Sequence, residues 1–324
     1  MKALLTCAAM LGVCGAVLGA SLALEQTIPL PGVQGRIDHF TCDAAGQRLF
    51  VAALGNNTVE VIDLNAGRVL HSITGLSEPQ GLCYLPELNR LYVANGGDGS
   101  VRVFEAKTFA QVATVRLDDD ADNVRYDAAA QRLYVGHGRG ALGVINPITN
   151  EMVRDAPLQA HPESFQLEQK GARIFVNVPK AHHVAVFDRR EQAVTAIWPL
   201  GLAAANYPMA LDEANHRLLI ACRVPARLIV MDTQSGQEVA KLDLHGDCDD
   251  LSFDPGRRQI YASCGEGFID VIQCRGGDRY DRVASLATHG AARTCFFSPE
   301  LDRLYLAVPK HGADEASIRI YKVP

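Results

Sequence analysis

Seven positions with chemically capable side chains recur every 41 to 44 residues along this chain. Four of them are carboxylates, and the other three are an amide, a phenol and a guanidinium. In chain order these ring positions are Asp38, Gln80, Asp122, Glu163, Tyr207, Asp249 and Arg293. Carboxylates that converge on one point repel one another and attract a cation or a cationic substrate. The spacing therefore predicts a cation-attracting site, provided that the fold brings the seven positions together.

The residue that follows each ring position is again mostly polar. With these neighbours included, we predict a ligand-binding set of nine residues: Asp38, His39, Gln80, Asp122, Asn123, Glu163, Tyr207, Asp249 and Arg293. Hard cations such as calcium prefer carboxylate and amide oxygens. The candidates for a divalent cation are accordingly Asp38, Asp122, Glu163 and Asp249. The alternative is that these side chains are polar only because they line a water-filled channel.

The elements that must position these residues repeat with the same period. Segment 48–73 returns as segment 90–115, and its opening tripeptide recurs near Arg132, Arg173, Arg217, Gln259 and Arg303. A period of about 40–45 residues with four strands per unit is the signature of a β-propeller blade. We therefore predict an all-β fold, a seven-bladed β-propeller of four-stranded antiparallel blades.

The two ends of the chain predict how the ring closes. The last unit supplies three strands, at 293–298, 303–308 and 317–323, and lacks the fourth. Segment 25–30 precedes the first unit and resembles an outer strand without a blade. If this N-terminal strand completes blade 7, it removes two open sheet edges. Such open edges would otherwise template aggregation.

With strands a to d numbered from the axis outward, the d–a and b–c loops share one face, which we call the top face. The ring positions begin strand a and so lie at the mouth of the channel on this face. Eight of the ten histidines also fall on the top face: His39, His137, His161, His182, His183, His245, His289 and His311. A transition-metal or proton-transfer site and ordinary solvated loops are both compatible with this distribution.

The N-terminus has the pattern of a secretory signal peptide. Lys2 is followed by an apolar run over residues 3–22. Small-residue cleavage sites lie at residues 18–20, inside the run, and at residues 21–23, at its end. We predict a signal peptide over 1–23 and a single propeller domain over 24–324, which would be periplasmic or secreted. A single transmembrane anchor is the alternative for this run. The mature protein is expected to be a monomer without a membrane span.

Charge and cysteine usage exclude two classes of function. The formal net charge is −6 and no lysine or arginine run occurs, which argues against nucleic acid as a partner. No Cys-x-x-Cys-His sequence occurs, which excludes a covalent c-type haem. Cys248 is expected opposite Cys264, so a disulfide is predicted between them, with Cys222 as the alternative partner.

The strand sequences also carry a family resemblance. Leu91-Tyr-Val-Ala-Asn95 followed by Gly99-Ser-Val-Arg-Val-Phe104 resembles the YVTN-type β-propeller repeats. The resemblance implies an exported bacterial propeller, in a family of which many members have no known activity. Related propellers include heavy subunits of amine dehydrogenases, lactonases and streptogramin lyases.

The leading hypothesis is an exported propeller that binds a small molecule or a partner protein through its top face, with catalysis left open. One alternative is a metal-dependent enzyme, similar to a lactonase or lyase, acting at the channel mouth. Another is the propeller subunit of a periplasmic oxidoreductase.

Overall fold

The computed structural model describes residues 22–323 as 28 β-strands and three short 3₁₀ turns. The strands form seven four-stranded antiparallel sheets. The predicted seven-bladed propeller is thereby confirmed. Most of the predicted signal peptide, residues 1–21, lies outside the described residues. No helix in the described part of the chain is long and apolar enough to cross a membrane.

Six blades are built from four consecutive strands each, ordered from the axis outward. The outermost strand of the seventh blade is β1 (Ala23–Pro29). Blades 1 to 3 comprise β2 (Phe40–Asp43), β3 (Arg48–Ala53), β4 (Thr58–Asp63), β5 (Arg68–Ile73); β6 (Pro79–Leu85), β7 (Arg90–Asn95), β8 (Ser100–Glu105), β9 (Gln111–Arg116); and β10 (Val124–Asp127), β11 (Arg132–His137), β12 (Ala141–Asn146), β13 (Glu151–Pro157). Blades 4 to 6 comprise β14 (Phe165–Leu167), β15 (Arg173–Val178), β16 (His183–Asp188), β17 (Ala193–Pro199); β18 (Ala204–Asp212), β19 (Arg217–Val224), β20 (Ala226–Asp232), β21 (Glu238–Asp243); and β22 (Cys248–Asp254), β23 (Gln259–Cys264), β24 (Phe268–Gly276), β25 (Arg279–Ala287). Blade 7 adds β26 (Cys295–Ser298), β27 (Arg303–Val308) and β28 (Ser317–Lys322), and the 3₁₀ turns are Leu54–Asn56, Pro179–Ala181 and Glu213–Asn215.

The ring closes in blade 7, as the sequence predicts. β1 pairs antiparallel with β28, from Ala23 opposite Lys322 to Pro29 opposite Ser317. Ile28 of β1 is fully buried in a cluster that includes Ile318. The blade is therefore made from both ends of the described chain, and apolar burial accompanies its hydrogen bonds.

The second strand of each blade forms much of the core. In β3 every residue after Arg48 is fully buried, because blades on both sides cover the sheet. Apolar clusters fill the spaces between neighbouring blades, and each cluster draws residues from two of them. This packing between blades holds the inner strands in place, and it therefore holds in place the side chains by which these strands line the channel.

A β-bulge displaces the top of several inner strands. In blade 1 the Asp38 amide donates to the Ala52 carbonyl at 2.7 Å, and the Ala52 amide donates to the His39 carbonyl at 3.0 Å. Two successive residues at the top of the inner strand thus pair with one residue of the second strand. The same pattern sets Asp122 and Asn123 against Gly136, and Glu163 and Ser164 against Asn177. Because a bulge re-aims side chains, both members of each pair line the channel.

Candidate ligand-binding site at the channel mouth

The structure brings all nine predicted ligand-binding residues to the top mouth of the channel. A cavity of about 500 Å³ is lined by six of them: Gln80, Asp122, Glu163, Tyr207, Asp249 and Arg293. A narrower recess beneath it is lined by Asp38, His39 and Asn123, and it shares Asp122 and Glu163 with the cavity above. The predicted ring therefore exists as one continuous polar pocket.

Arginines neutralise one side of this pocket. Arg293 Nε lies 2.9 Å from Asp249 Oδ2, and Arg223 forms a second ion pair with the same carboxylate. The Arg223 guanidinium also lies over the Tyr207 ring, 4.3 Å from its centroid, at the distance of a cation–π contact. Asp38 is paired in turn with Arg36. Two of the four predicted metal ligands, Asp38 and Asp249, are therefore already occupied by protein cations.

His39 forms the floor of the recess. Its Nδ1 lies 3.6 Å from Asp250 Oδ1, and its Nε2 lies 3.7 Å from Asp38 Oδ1. Burial opposes a charge on the ring, but the neighbouring carboxylates, first Asp38 and then Asp250, outweigh it and raise the pKa of His39 to about 10. His39 is thus a protonated partner for the deepest carboxylates. His39 also lines a second cavity, which is bordered by Thr41, Arg125 and Cys295 among others, so it lies between the recess and this cavity.

The other side of the pocket is compensated more weakly, by His39, whose Nε2 lies 4.0 Å from Asp122 Oδ1. Within residues 22–323, Asp122 and Glu163 form no ion pair with a lysine or an arginine. Burial, partly opposed by His39, raises the pKa of Asp122 to about 6. Burial and then repulsion from Asp122 and Asp249 raise the pKa of Glu163 to about 9. The pocket therefore has a neutralised half in blades 5 to 7 and 1, and an acidic half in blades 3 and 4.

His161 completes the acidic half. One ring nitrogen of His161, a carboxylate oxygen of Asp122 and a carboxylate oxygen of Glu163 lie within 4.8 Å of one another. His161 Nε2 also lies 3.7 Å from Asp120 Oδ2. Sequence reasoning placed His161 on the top face but did not group it with the carboxylates. It stands two residues before Glu163, so its place in the blade 4 loop was the available signal.

One glycine allows the acidic half to assemble. Gly81 occupies the position in blade 2 that His39 occupies in blade 1. A Cβ added there would lie 2.2 Å from the Asp122 carbonyl oxygen. The absence of a side chain therefore lets the Asp122 backbone lie against blade 2.

A serine, a histidine and an aspartate also meet in blade 6, away from the mouth. Ser285 Oγ donates to Asp270 Oδ1 at 2.6 Å, and His245 Nδ1 donates to the same oxygen at 2.8 Å. Burial raises the pKa of Asp270, but these hydrogen bonds outweigh it and hold the pKa below its usual value. Since the serine and the histidine share one acceptor, the arrangement is not that of a serine nucleophile activated by a histidine.

The predicted cysteine pair is brought into register. Cys248 and Cys264 stand directly opposite each other on β22 and β23. In the described part of the chain all seven cysteines are free thiols. A hydrogen bond with Cys264, followed by burial, raises the pKa of Cys248. The proximity matches the prediction, and the disulfide itself stays a prediction.

Comparison with solved structures identifies the same architecture in distant proteins. A chain of the crystal structure of the mitotic checkpoint complex superposes with a TM-score of 0.80 at 14% identity, over 100% of this chain and 99% of that one. A chain of Kuenenia stuttgartiensis hydrazine synthase gives 0.74 at 16% identity, over 85% of this chain and 94% of that one. At these identities the likeness shows the fold alone.

No protein-family model matches the chain, and no curated protein matches it. The resemblance to YVTN-type repeats therefore stays a prediction. The class that is shown is that of the seven-bladed β-propeller.

Proposed function

We propose that this protein is an exported β-propeller that binds a small cationic ligand at the top mouth of its channel. The observation that carries the proposal is the acidic half of the mouth cavity, where Asp122 and Glu163 have no arginine or lysine partner among the described residues. A bound cation would supply the missing charge at that point.

Two features favour a small molecule over a protein at this site. The key groups are recessed, since the Asp122 side chain is only 6% exposed. The cavity of about 500 Å³ is within the usual size of small-molecule pockets. The pocket therefore suits a compact cation that enters the channel better than a flat protein surface that covers it.

Export is supported by the N-terminal sequence. Lys2, the apolar run and the small residues at 18–20 and 21–23 form the pattern of a cleaved signal peptide. The proposed location is the periplasm or the extracellular medium. Fractionation of the producing cells tests this part, and protein found only in the cytoplasm would refute it.

Thermal shift and calorimetry at low ionic strength test the binding, with putrescine, tetramethylammonium and Mn²⁺ as probes. A ligand at 100 times its Kd adds about 2.7 kcal/mol of stability, which is about 4 °C for a domain of this size. At least one probe should produce such a shift in the wild type. Glu163→Gln should reduce it strongly.

Glu191→Gln is the matched control, because Glu191 lies exposed in an outer turn of blade 4 and the substitution is chemically identical. This variant should respond like the wild type. The proposal fails if neither these three probes nor Zn²⁺ binds, or if binding survives unchanged in Glu163→Gln.

A further inference from the structure

We propose that Asp122, His161 and Glu163 form a binding site for one divalent transition-metal ion. The inference rests on the proposed function, because it names the chemical class of the cation at the same mouth. It departs from the calcium site expected from the carboxylates alone, since two of those four carboxylates are held by arginines.

The orientation of His161 is the first observation. Its Nδ1 lies 2.6 Å from the Gly138 carbonyl oxygen. A carbonyl oxygen only accepts, so Nδ1 must carry the proton. In the neutral ring Nε2 then carries the lone pair and is the nitrogen that can bind a metal, and a ring nitrogen of His161 belongs to the group with Asp122 and Glu163. Histidines that bind metals are commonly held in this way, with the second nitrogen donating to a backbone carbonyl.

An unsatisfied buried oxygen is the second observation. Asp122 Oδ1 is inaccessible to solvent and has no hydrogen-bond partner within residues 22–323, where His39 Nε2 lies 4.0 Å from it. The residue lines both the cavity and the recess. A buried carboxylate oxygen without a donor is costly, and a metal ion in the pocket would satisfy it. The backbone of Asp122 is fixed by the bulge against Gly136, so the carboxylate is delivered by a rigid element.

The distances suit a single ion. The three ligand atoms lie within 4.8 Å of one another. Atoms bound at about 2.1 Å from one ion lie at most about 4.2 Å apart. His161 and Glu163 are both partly exposed, so small rotations of their side chains can close the remaining distance. The open cavity above leaves further coordination positions for water or a second ligand.

The ligand types decide the class of metal. Imidazole nitrogen suits zinc, copper, iron and nickel, whereas calcium and magnesium prefer oxygen alone. One nitrogen and two carboxylates therefore favour a first-row transition metal, with Zn²⁺ and Co²⁺ as practical probes.

Calorimetry of the chelator-stripped protein with Zn²⁺, together with visible absorption of the Co²⁺ form, tests the site. We expect one ion per chain and Co²⁺ d–d bands in the wild type. His161→Ala should weaken Zn²⁺ binding at least about 100-fold, since loss of even an outer partner of a metal ligand costs about 10- to 100-fold. Asp122→Asn should also weaken it. His311→Ala is the control, because His311 is an exposed top-face histidine in blade 7, and its affinity should match the wild type.

Circular dichroism spectra and thermal melting curves, recorded with chelator present, establish that each variant folds. The Co²⁺ spectrum of the wild type tests the site without relying on any variant. The inference is overturned if Zn²⁺ and Co²⁺ do not bind at one per chain, if His161→Ala binds Zn²⁺ as tightly as the wild type, or if Ca²⁺ binds more tightly than Zn²⁺. Binding of putrescine or tetramethylammonium without Zn²⁺ binding would refute the metal site and leave the proposed function standing. Absence of binding by any cation would refute both.

Discussion

Replacing Ile28 by alanine should lower the stability of the whole ring, because this side chain anchors the strand that closes it. Ile28 is fully buried and stands opposite Ile318 in the register of β1 and β28. Shortening a buried isoleucine to alanine costs about 2–5 kcal/mol. The nearby ion pair between Glu25 and Arg303 is partly exposed on both sides and adds about 1 kcal/mol at most. Apolar burial therefore dominates the closure.

The expected size of the effect follows from the length of the domain. Unfolding entropy of about 2.1 cal/mol/K per residue gives about 0.6 kcal/mol/K for roughly 300 residues. A loss of about 3 kcal/mol should therefore lower Tm by about 5 °C. Calorimetry or circular dichroism of the mature protein measures the shift.

Leu24→Ala is the matched control, since Leu24 lies on the same strand but is 54% exposed. It should change Tm by about 1 °C or less. Deleting residues 24–31 should have a larger effect than Ile28→Ala. If Ile28→Ala melts within about 1 °C of the wild type, β1 does not stabilise the ring and the reasoning is wrong.

Three further predictions concern groups outside the mouth. Asp270→Ala should lower the free energy of unfolding by about 2–3 kcal/mol near pH 7, because a buried hydrogen-bonded carboxylate is lost. The pKa of Asp270 in the folded protein is lowered from 3.8. The carboxylate therefore stabilises the fold above pH 3.8, and this stabilisation fades as the pH falls through the folded pKa. Urea titrations between pH 7 and pH 2 should show the gap to wild type narrowing below about pH 4, and a constant gap would contradict this. Peptide mapping without reduction should find Cys248 joined to Cys264 in protein made in the periplasm, and free thiols there would exclude the pair. N-terminal sequencing of the exported protein should begin at Ser21, and not at residue 24 as the predicted signal peptide over 1–23 implies, because Leu22 is buried in the core. A start beyond Leu22 would show that this packing is dispensable.

The architecture followed from the sequence because it depends on repetition. The anchor tripeptides fix the second strands, and the predicted bounds of 303–308 agree with β27. The ring position Asp38 was predicted to begin the innermost strand of blade 1, whereas β2 begins at Phe40. The bulge at Asp38 and His39 interrupts the regular pairing there, and alternation of residue types does not reveal a bulge.

The sequence predicted which residues form the site, but not which of them form ion pairs with one another. The recurring positions identified the ring, because equivalent residues of a repeat occupy equivalent places around the axis. Which carboxylates would be neutralised depended on Arg223, which reaches Asp249 from the neighbouring blade. The role of His161 depended on the Gly138 carbonyl, which fixes its ring. Contacts of this kind arise from loop geometry between blades, and the repeat period carries no information about them.

The pairing of β1 with β28 also sets an order of events during synthesis. Pro29 is made about 290 residues before its partner Ser317, which is roughly 15 to 60 s at ordinary elongation rates. Throughout that interval Ile28, the buried residue of β1, lacks its partner Ile318, and blade 7 lacks its outer strand. A chain that ends before residue 317 therefore cannot finish the ring. Blade 7 is therefore completed only in a full-length chain. Truncated products should stay accessible to proteases and to chaperones that bind unfolded chains, whereas full-length chains should become resistant to proteolysis.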